Sequence, residues 1–215
     1  MPGEVANIAL IMDRIGPEDA SCERPASFMR LVERAKSGDT AAFEQLMILS
    51  QRKVVSTAWR LLGSEDDARD AAQEVFLRAF KYLGRFKSER DFYAWLYGIT
   101  INVCRDMARR RGPSPVSAPL ETDKRTGPPD PLASAEDAEA RVLLAQRRAM
   151  IARALATLPV KERAVIILRD LEGLSTDEVA RIMGSRPTTI RSQISTARAK
   201  IKQYCDRLMR QERKR

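Results

Sequence analysis

STDEVARIMGSRPTTIRSQISTAR, residues 175–198, is the stretch whose reading decides the fold. Ser175-Thr-Asp-Glu178 has the form of a capping box: the serine hydroxyl can accept from the Glu178 amide while the glutamate reaches back to the serine amide. Val179, Ala180, Ile182 and Met183 then give one face of a short helix. Gly184 suits the left-handed conformation of a sharp turn, and Pro187-Thr188 suit a first helical turn, where a missing amide costs little. On the second helix Ile190, Ile194, Ala197 and Ile201 form the inward stripe. Arg186, Thr188, Thr189, Arg191, Ser192, Gln193, Thr196 and Arg198 lie off that stripe and can hydrogen-bond base edges or phosphates in a major groove. A short helix, a glycine turn and a polar second helix form the pattern of a DNA-binding helix-turn-helix. The competing reading is a solvated amphipathic helix in a bundle; cap, turn and polar face in the right order favour DNA.

Working outward, residues from about Glu139 to Leu158 predict a helix, and Pro159 opens another that runs to about Glu172 before Gly173. Upstream, residues 112–135 hold six of the eleven prolines among Gly, Ser, Thr and Asp, which predicts a linker. The first block again reads as helices. Phe28 to Lys36 is a short one. Asp39 caps the next, with Phe43, Leu46, Met47, Val54, Ala58 and Leu61 inward and Gly63 at its end. Ser64 caps a third, whose first-turn acids Glu65, Asp66 and Asp67 suit the positive end of the helix dipole. Its apolar stripe is Ala68, Ala71, Ala72, Val75, Phe76, Ala79 and Phe80. A fourth runs from about Asp91 to Arg111. The expectation is an all-α protein of two small helical domains: a leader over 1–27, a helical domain over 28–111, a flexible proline-rich linker over 112–139, and a helix-turn-helix domain over 140–210.

Composition narrows the function. The net charge of +9 lies in two basic blocks, 27–111 and 141–215, with a net-acidic segment between them, as expected of a chain that meets a polyanion at two places. There is no histidine, and the three cysteines (Cys22, Cys104, Cys205) are far apart. That leaves no Cys/His zinc set and no disulfide framework, and points to a reducing, cytoplasmic compartment. Cys104 and Cys205 read as small core residues. No apolar run is long enough for membrane insertion. Neither a cofactor nor catalysis is expected.

Two further patterns lie in the first block. Opposite the apolar stripe of the third helix stand Asp70, Gln73, Glu74 and Leu77, with Arg78 alongside, a candidate partner surface around an exposed leucine. From Phe86 onward, Phe92, Tyr93, Trp95 and Tyr97 alternate with or precede Lys87, Asn102, Arg105, Arg109, Arg110 and Arg111. Aromatics beside cations suit single-stranded nucleic acid, whose unstacked bases lie on rings while arginine meets the backbone. About half of these rings are expected to serve the ligand and the rest the core.

Together these segments resemble the extracytoplasmic-function sigma factors of bacterial RNA polymerase. Asp67-Ala-Arg-Asp70-Ala-Ala-Gln73-Glu74-Val-Phe76 is similar to that family's polymerase-binding helix. Phe92 through Asn102, with Asp106 and Arg109-Arg-Arg111, is similar to its promoter-melting helix. Leu158-Pro159 through Arg163, Leu171-Glu-Gly-Leu-Ser175 and Glu178 through Arg198 are similar to its upstream-element domain. The resemblance covers residues 28–111 and 140–207 and implies three roles. Asp70, Gln73, Glu74 and Leu77 would dock on polymerase core. The loop 86–91, with Phe86, Lys87 and Ser88, and the helix residues Asn102, Arg105, Arg109 and Arg110 would hold unpaired bases of the −10 element. Arg191, Ser192 and their neighbours would read duplex at the −35 element, for a stress or envelope regulon. Family members are often held inactive by an anti-sigma protein, so such a partner is an expectation here. The sequence departs from the family at Thr188, where a second turn glycine is usual, and at Gln193, Ser195 and Thr196, where basic or bulky residues are common.

The runner-up is a stand-alone helix-turn-helix regulator, which leaves the first block unexplained. A metal-dependent nuclease would need clustered carboxylates; Glu65-Asp66-Asp67 is the sole candidate and a helix N-terminus accounts for it better.

Overall fold

The structure, a computed structural model, describes residues 26–87, 91–110, 150 and 152–212. Residues 1–25 of the predicted leader, the linker, Ser88 and most of the helix expected over 139–158 lie outside these residues, and the last two leader residues, Ala26 and Ser27, belong to the first helix. No strand occurs among the described residues.

Three helices make the body of the first block: α1 (Ala26–Lys36), α2 (Thr40–Leu62) and α3 (Glu65–Tyr82). Their ends obey local chemistry. Asp39 is extended and accepts from the Ala42 amide at 3.0 Å; Arg34 grips the same carboxylate at 2.6 Å. Both contacts hold the Asp39 carboxyl below its ordinary pKa, the Ala42 amide contributing most. Gly63 at φ 76° closes α2 in the left-handed region, and Ser64 caps α3 through the Asp67 amide. A 3₁₀ turn (Leu83–Arg85) comes next, and Asp91 then starts α4 (Phe92–Arg110) by accepting from Ala94 N at 2.8 Å. Val32, Leu46, Val54, Ala58, Ala68, Val75, Leu96 and Ile101 fill the space between these helices. One stripe residue departs from expectation: Phe80 is 55% exposed, touching Phe43 edge-on at 5.0 Å. Ala79 next to it takes the inward position at the end of α3.

In the second block α5 (Val160–Ile166) starts after Pro159, and its last turns widen into a π-helical segment, Ile167–Leu171. Glu172 N donates to Ile167 O at 2.9 Å and Leu174 N to Leu168 O at 3.0 Å. The extra residue in the turn rotates the downstream chain and delivers Glu172 to the surface of the first block. α6 (Thr176–Met183) begins with the full capping box, and Gly184 (φ 60°) turns the chain into α7 (Pro187–Glu212). α7 packs on both α5 and α6.

Arg163 joins the blocks. It is 5% exposed, yet its guanidinium faces carbonyl oxygens alone: Leu155 and Leu61 at 2.9 Å, Ala156 and Leu158 at 3.1 Å. Burial pulls its pKa down, but the five-donor fork keeps it hydrogen-bonded. Arg163→Met keeps the stem and deletes the donors, stranding buried carbonyls. The expected loss is about 3 kcal/mol, a fall in Tm of roughly 10 °C for a chain this size. Thermal melting followed by circular dichroism checks it; an unchanged Tm would mean water replaces the guanidinium.

Candidate nucleic-acid and polymerase interfaces

The helix-turn-helix forms because α7 has one face to bury. Ile190, Ile194, Ala197 and Ile201 are 0–8% exposed, packed toward α5 and α6. The opposite face carries Arg186, Thr188, Thr189, Arg191, Ser192 and Thr196, all exposed, at the N-terminal half of the helix. Amides and positive dipole also collect at that end, so phosphate contacts there are doubly favoured. Gln193 is half-buried, and its Oε1 is buried without a hydrogen-bond partner.

Arg198 departs from expectation. Its guanidinium clamps the Asp170 carboxylate at 3.0 and 2.7 Å, and the Asp170 side chain is only 9% exposed. A nearly buried carboxylate requires this counter-charge, and its hydrogen bonds push the Arg198 pKa up. Lys200 does likewise with Glu162 at 2.8 Å. Both cations brace α7 against α5 and its π segment, while their side chains stay 58% and 42% exposed.

On α3 the residues of the expected partner surface share one outer face. Asp70 and Gln73 are exposed and Leu77 is 67% exposed, while Glu74 accepts from Arg78 Nε at 2.6 Å. Arg78 also reaches Asp106 at 3.4 Å, tying α3 to α4. Ile48 (65%) and Leu49 (54%) on α2 add exposed apolar surface that periodicity alone does not single out.

The aromatic segment is mostly core, a second correction. Phe86, expected to contact DNA, is 3% exposed, with its ring 5.2 Å from Trp95 and 5.7 Å from Phe92. Tyr93 stacks on Phe28 at 5.5 Å and carries Lys53 Nζ 4.4 Å from its centroid. Phe92 and Tyr97 are buried; Trp95 is half-buried. Six rings on three segments satisfy one another because mutual burial removes far more apolar area than stacking on a transient base. The cations and amide are outside as expected: Lys87, Asn102, Arg105, Arg109 and Arg110 are exposed, with Arg109 in an ion pair to Asp106 at 3.2 Å. Sequence reading misses Tyr82, whose ring is 39% exposed between Lys81 Nζ (5.7 Å) and Arg85 Cζ (5.9 Å). Its place at the C-terminal end of an amphipathic helix is the only signal.

Residues 47–113 match the family described as Sigma-70 region 2, and residues 148–201 match Sigma-70, region 4. Over 182 residues the chain is 34% identical to the ECF RNA polymerase sigma-E factor of Escherichia coli (strain K12), covering 84% of this chain and 95% of that one. This chain belongs to the extracytoplasmic-function sigma factors. The RNA polymerase sigma-H factor of Pseudomonas aeruginosa is 33% identical over 184 residues, covering 85% and 95%. Among solved structures, CnrH in complex with the cytosolic domain of CnrY superposes with TM-score 0.60 at 28% identity, covering 83% of this chain and 96% of that one. The Bartonella quintana sigma factor RpoE, solved with the anti-sigma factor NepR, shares the fold at TM-score 0.57 and 24% identity, covering 76% and 96%. The sigma factor binds polymerase core and recognises promoter DNA, and the stand-alone regulator reading is set aside because region 2 accounts for the first block. Among the described residues no group of three or more potential metal ligands occurs, and no helix is long and apolar enough to cross a membrane.

Two measurements check this assignment of rings and thiols. Phe86→Ala should cost about 3–4 kcal/mol in denaturant unfolding of the full chain, against at most about 0.5 for Lys87→Ala. Burial pushes the Cys104 thiol up to about 12, so it is protonated at neutral pH. Cys104 should therefore resist iodoacetamide in the native protein and react at once in denaturant.

Proposed function

We propose that this sigma factor works by binding energy alone, through three surfaces with separate partners. Asp70, Gln73, Glu74 and Leu77 on α3 dock on polymerase core, with the exposed apolar residues of α2 beside them. Lys87, the adjoining loop (Ser88 included) and Asn102, Arg105, Arg109 and Arg110 on α4 hold the unpaired non-template strand of the −10 element. Arg186, Thr188, Thr189, Arg191, Ser192, Gln193 and Thr196 on α7 read the −35 element as duplex. Phe86 packs on Trp95 and Phe92 instead of touching a base, and Arg198 braces α7.

The observation that carries this reading is the clean division of α7, isoleucine face buried and cation-hydroxyl face exposed, after a capped helix and a left-handed glycine. Trapping flipped bases offsets the few kcal/mol needed to unstack them. Tethering the two DNA contacts makes the second effectively intramolecular. No bond is made or broken in this scheme, and its place is the cytoplasm, where polymerase and promoters are. Two fold neighbours were solved with a protein partner, the cytosolic domain of CnrY and the anti-sigma factor NepR, which supports a regulatory protein partner here also.

Abortive initiation by purified polymerase core on pooled genomic promoter fragments tests the whole scheme: specific starts are expected only when this protein is added. Leu77→Asp should abolish core binding while leaving −35 duplex binding intact. Arg191→Ala should weaken promoter binding and reduce the salt slope, log K against log salt, by about 1. An unchanged salt slope would remove Arg191 from the phosphate contacts. Starts that never appear, with duplex binding intact, would return the chain to the stand-alone regulator class.

A further inference from the structure

The two halves of the sigma factor meet along one seam. α4 lies against α6 and α2 against α5. At the α4–α6 crossing a methyl group placed on Gly98 would lie 3.9 Å from Ile182 Cγ1, so the helices come close where a side chain is missing. Glu172 stands in the same seam with its side chain 7% exposed. Its Oε1 accepts from Thr57 Oγ1 at 2.7 Å and Arg60 Nη1 at 2.8 Å, and its Oε2 from Tyr97 Oη at 2.5 Å. All three donors belong to the first half and the acceptor to the second. Burial together with the Glu172 charge drives the Tyr97 pKa up, so the phenol stays a donor.

This closed arrangement conflicts with the promoter. Elements centred near −35 and −10 are about 25 base pairs apart, roughly 85 Å at about 3.4 Å per pair. α6 touches both α4 and α7. At 8–10 Å between packed axes, α4 and α7 are therefore only about 20 Å apart. Residues 111–149 connect the halves, and a segment of 39 residues can span up to about 130 Å, so separation needs no cut in the chain.

We propose that the free sigma factor rests in this closed conformer, latched by Glu172 against Arg60, Thr57 and Tyr97, and that the latch opens when the protein engages polymerase and promoter. The latch is selective for the closed state. Removing Arg60 leaves the 7%-exposed Glu172 carboxylate with two hydroxyl donors but no counter-charge while closed, and removing Glu172 takes the shared acceptor from Arg60, Thr57 and Tyr97; once open, all of these groups are hydrated. The idea rests on the two-element promoter reading above, yet the closed state and its latch are measured without polymerase or DNA.

The experiment is single-molecule energy transfer on the full chain, with dyes at Gln51→Cys and Gln203→Cys in a Cys22→Ser background. Gln51 and Gln203 are exposed, and Cys104 and Cys205 are buried. The free parent protein should give one high-transfer population. Glu172→Ala and Arg60→Ala should each move at least half the molecules to low transfer with helical circular dichroism unchanged. The double variant should do no more than either single one, since both break the same contact. Saturating polymerase core should bring all of them to low transfer. If the open fraction rises from about one tenth to nearly one, each single variant binds a promoter-length duplex about tenfold more tightly without polymerase. A free parent protein already at the variants' low transfer would overturn the latch, as would a core-bound protein that keeps high transfer. Should initiation fail while the closed population still depends on Glu172, the promoter reading alone is lost. Should initiation succeed while both variants leave transfer unchanged, the latch alone is lost.

Discussion

Carbonyl groups at helix ends have no partner within the helix, and where such an end is buried some donor must be supplied. Here Arg163 supplies it for Ala156, Leu158 and Leu61, and it adds a second donor to Leu155, whose carbonyl also accepts from Leu158 N at 3.0 Å. A buried cation without a carboxylate beside it is ordinarily costly. Four carbonyl dipoles converging on a planar fork offset that cost, and a lysine, with three donors on one atom, could not reach the same set. The contact to Leu61 seats the start of α5 against the end of α2. Everything downstream inherits that placement: the π segment, the arrival of Glu172 beside Arg60, and the crossing of α6 over α4.

The same logic governs the charges. A net +9 advertises a polyanion ligand, but some of the cations are engaged by acceptors of the molecule itself. Arg60, Arg78, Arg163, Arg198 and Lys200 each serve an internal acceptor. Exposed cations are spread over most of the helices, and those that stand beside the other groups assigned to nucleic acid are Arg105, Arg109 and Arg110 on α4 and Arg186 and Arg191 at the start of α7. This makes the charge pattern more specific than the charge total, because screened surface charge contributes affinity only where it clusters. Aromatic side chains behave alike. Phe28, Phe86, Phe92, Tyr93, Trp95 and Tyr97 form one connected group that holds the start of α4 against α1, with little ring surface remaining for a base.

Local features are legible residue by residue. Asp39, Ser64 and Ser175 cap the helices they are expected to cap, and Gly63 and Gly184 adopt positive φ where the helices stop. The isoleucine stripe of α7 is buried as its spacing requires. Sequence and structure part where a residue's fate depends on a distant partner. Phe86 has the look of a base platform because it neighbours cations in sequence; its burial depends on Trp95 and Phe92 folding back over it. Arg198 has the look of a phosphate ligand, but Asp170, 28 residues away, claims it. Phe80 has the right phase for the core but lies where α3 runs out of neighbours. The widened turn at Ile167–Leu171 interrupts what the apolar periodicity reads as one continuous helix from Pro159 to about Glu172.

The sequence by itself determined the helices, their caps and stops, the identity of the inward faces and the family, because each depends on short-range sterics, hydrogen bonds and periodicity. Tertiary structure alone decided which exposed-looking groups are truly exposed, and how the two halves meet. Those outcomes depend on burial and on pairings across 28 to 115 residues, as in Asp170–Arg198 and Thr57–Glu172. A charge or ring is committed to the interior only when the fold brings it a partner whose contact outweighs hydration.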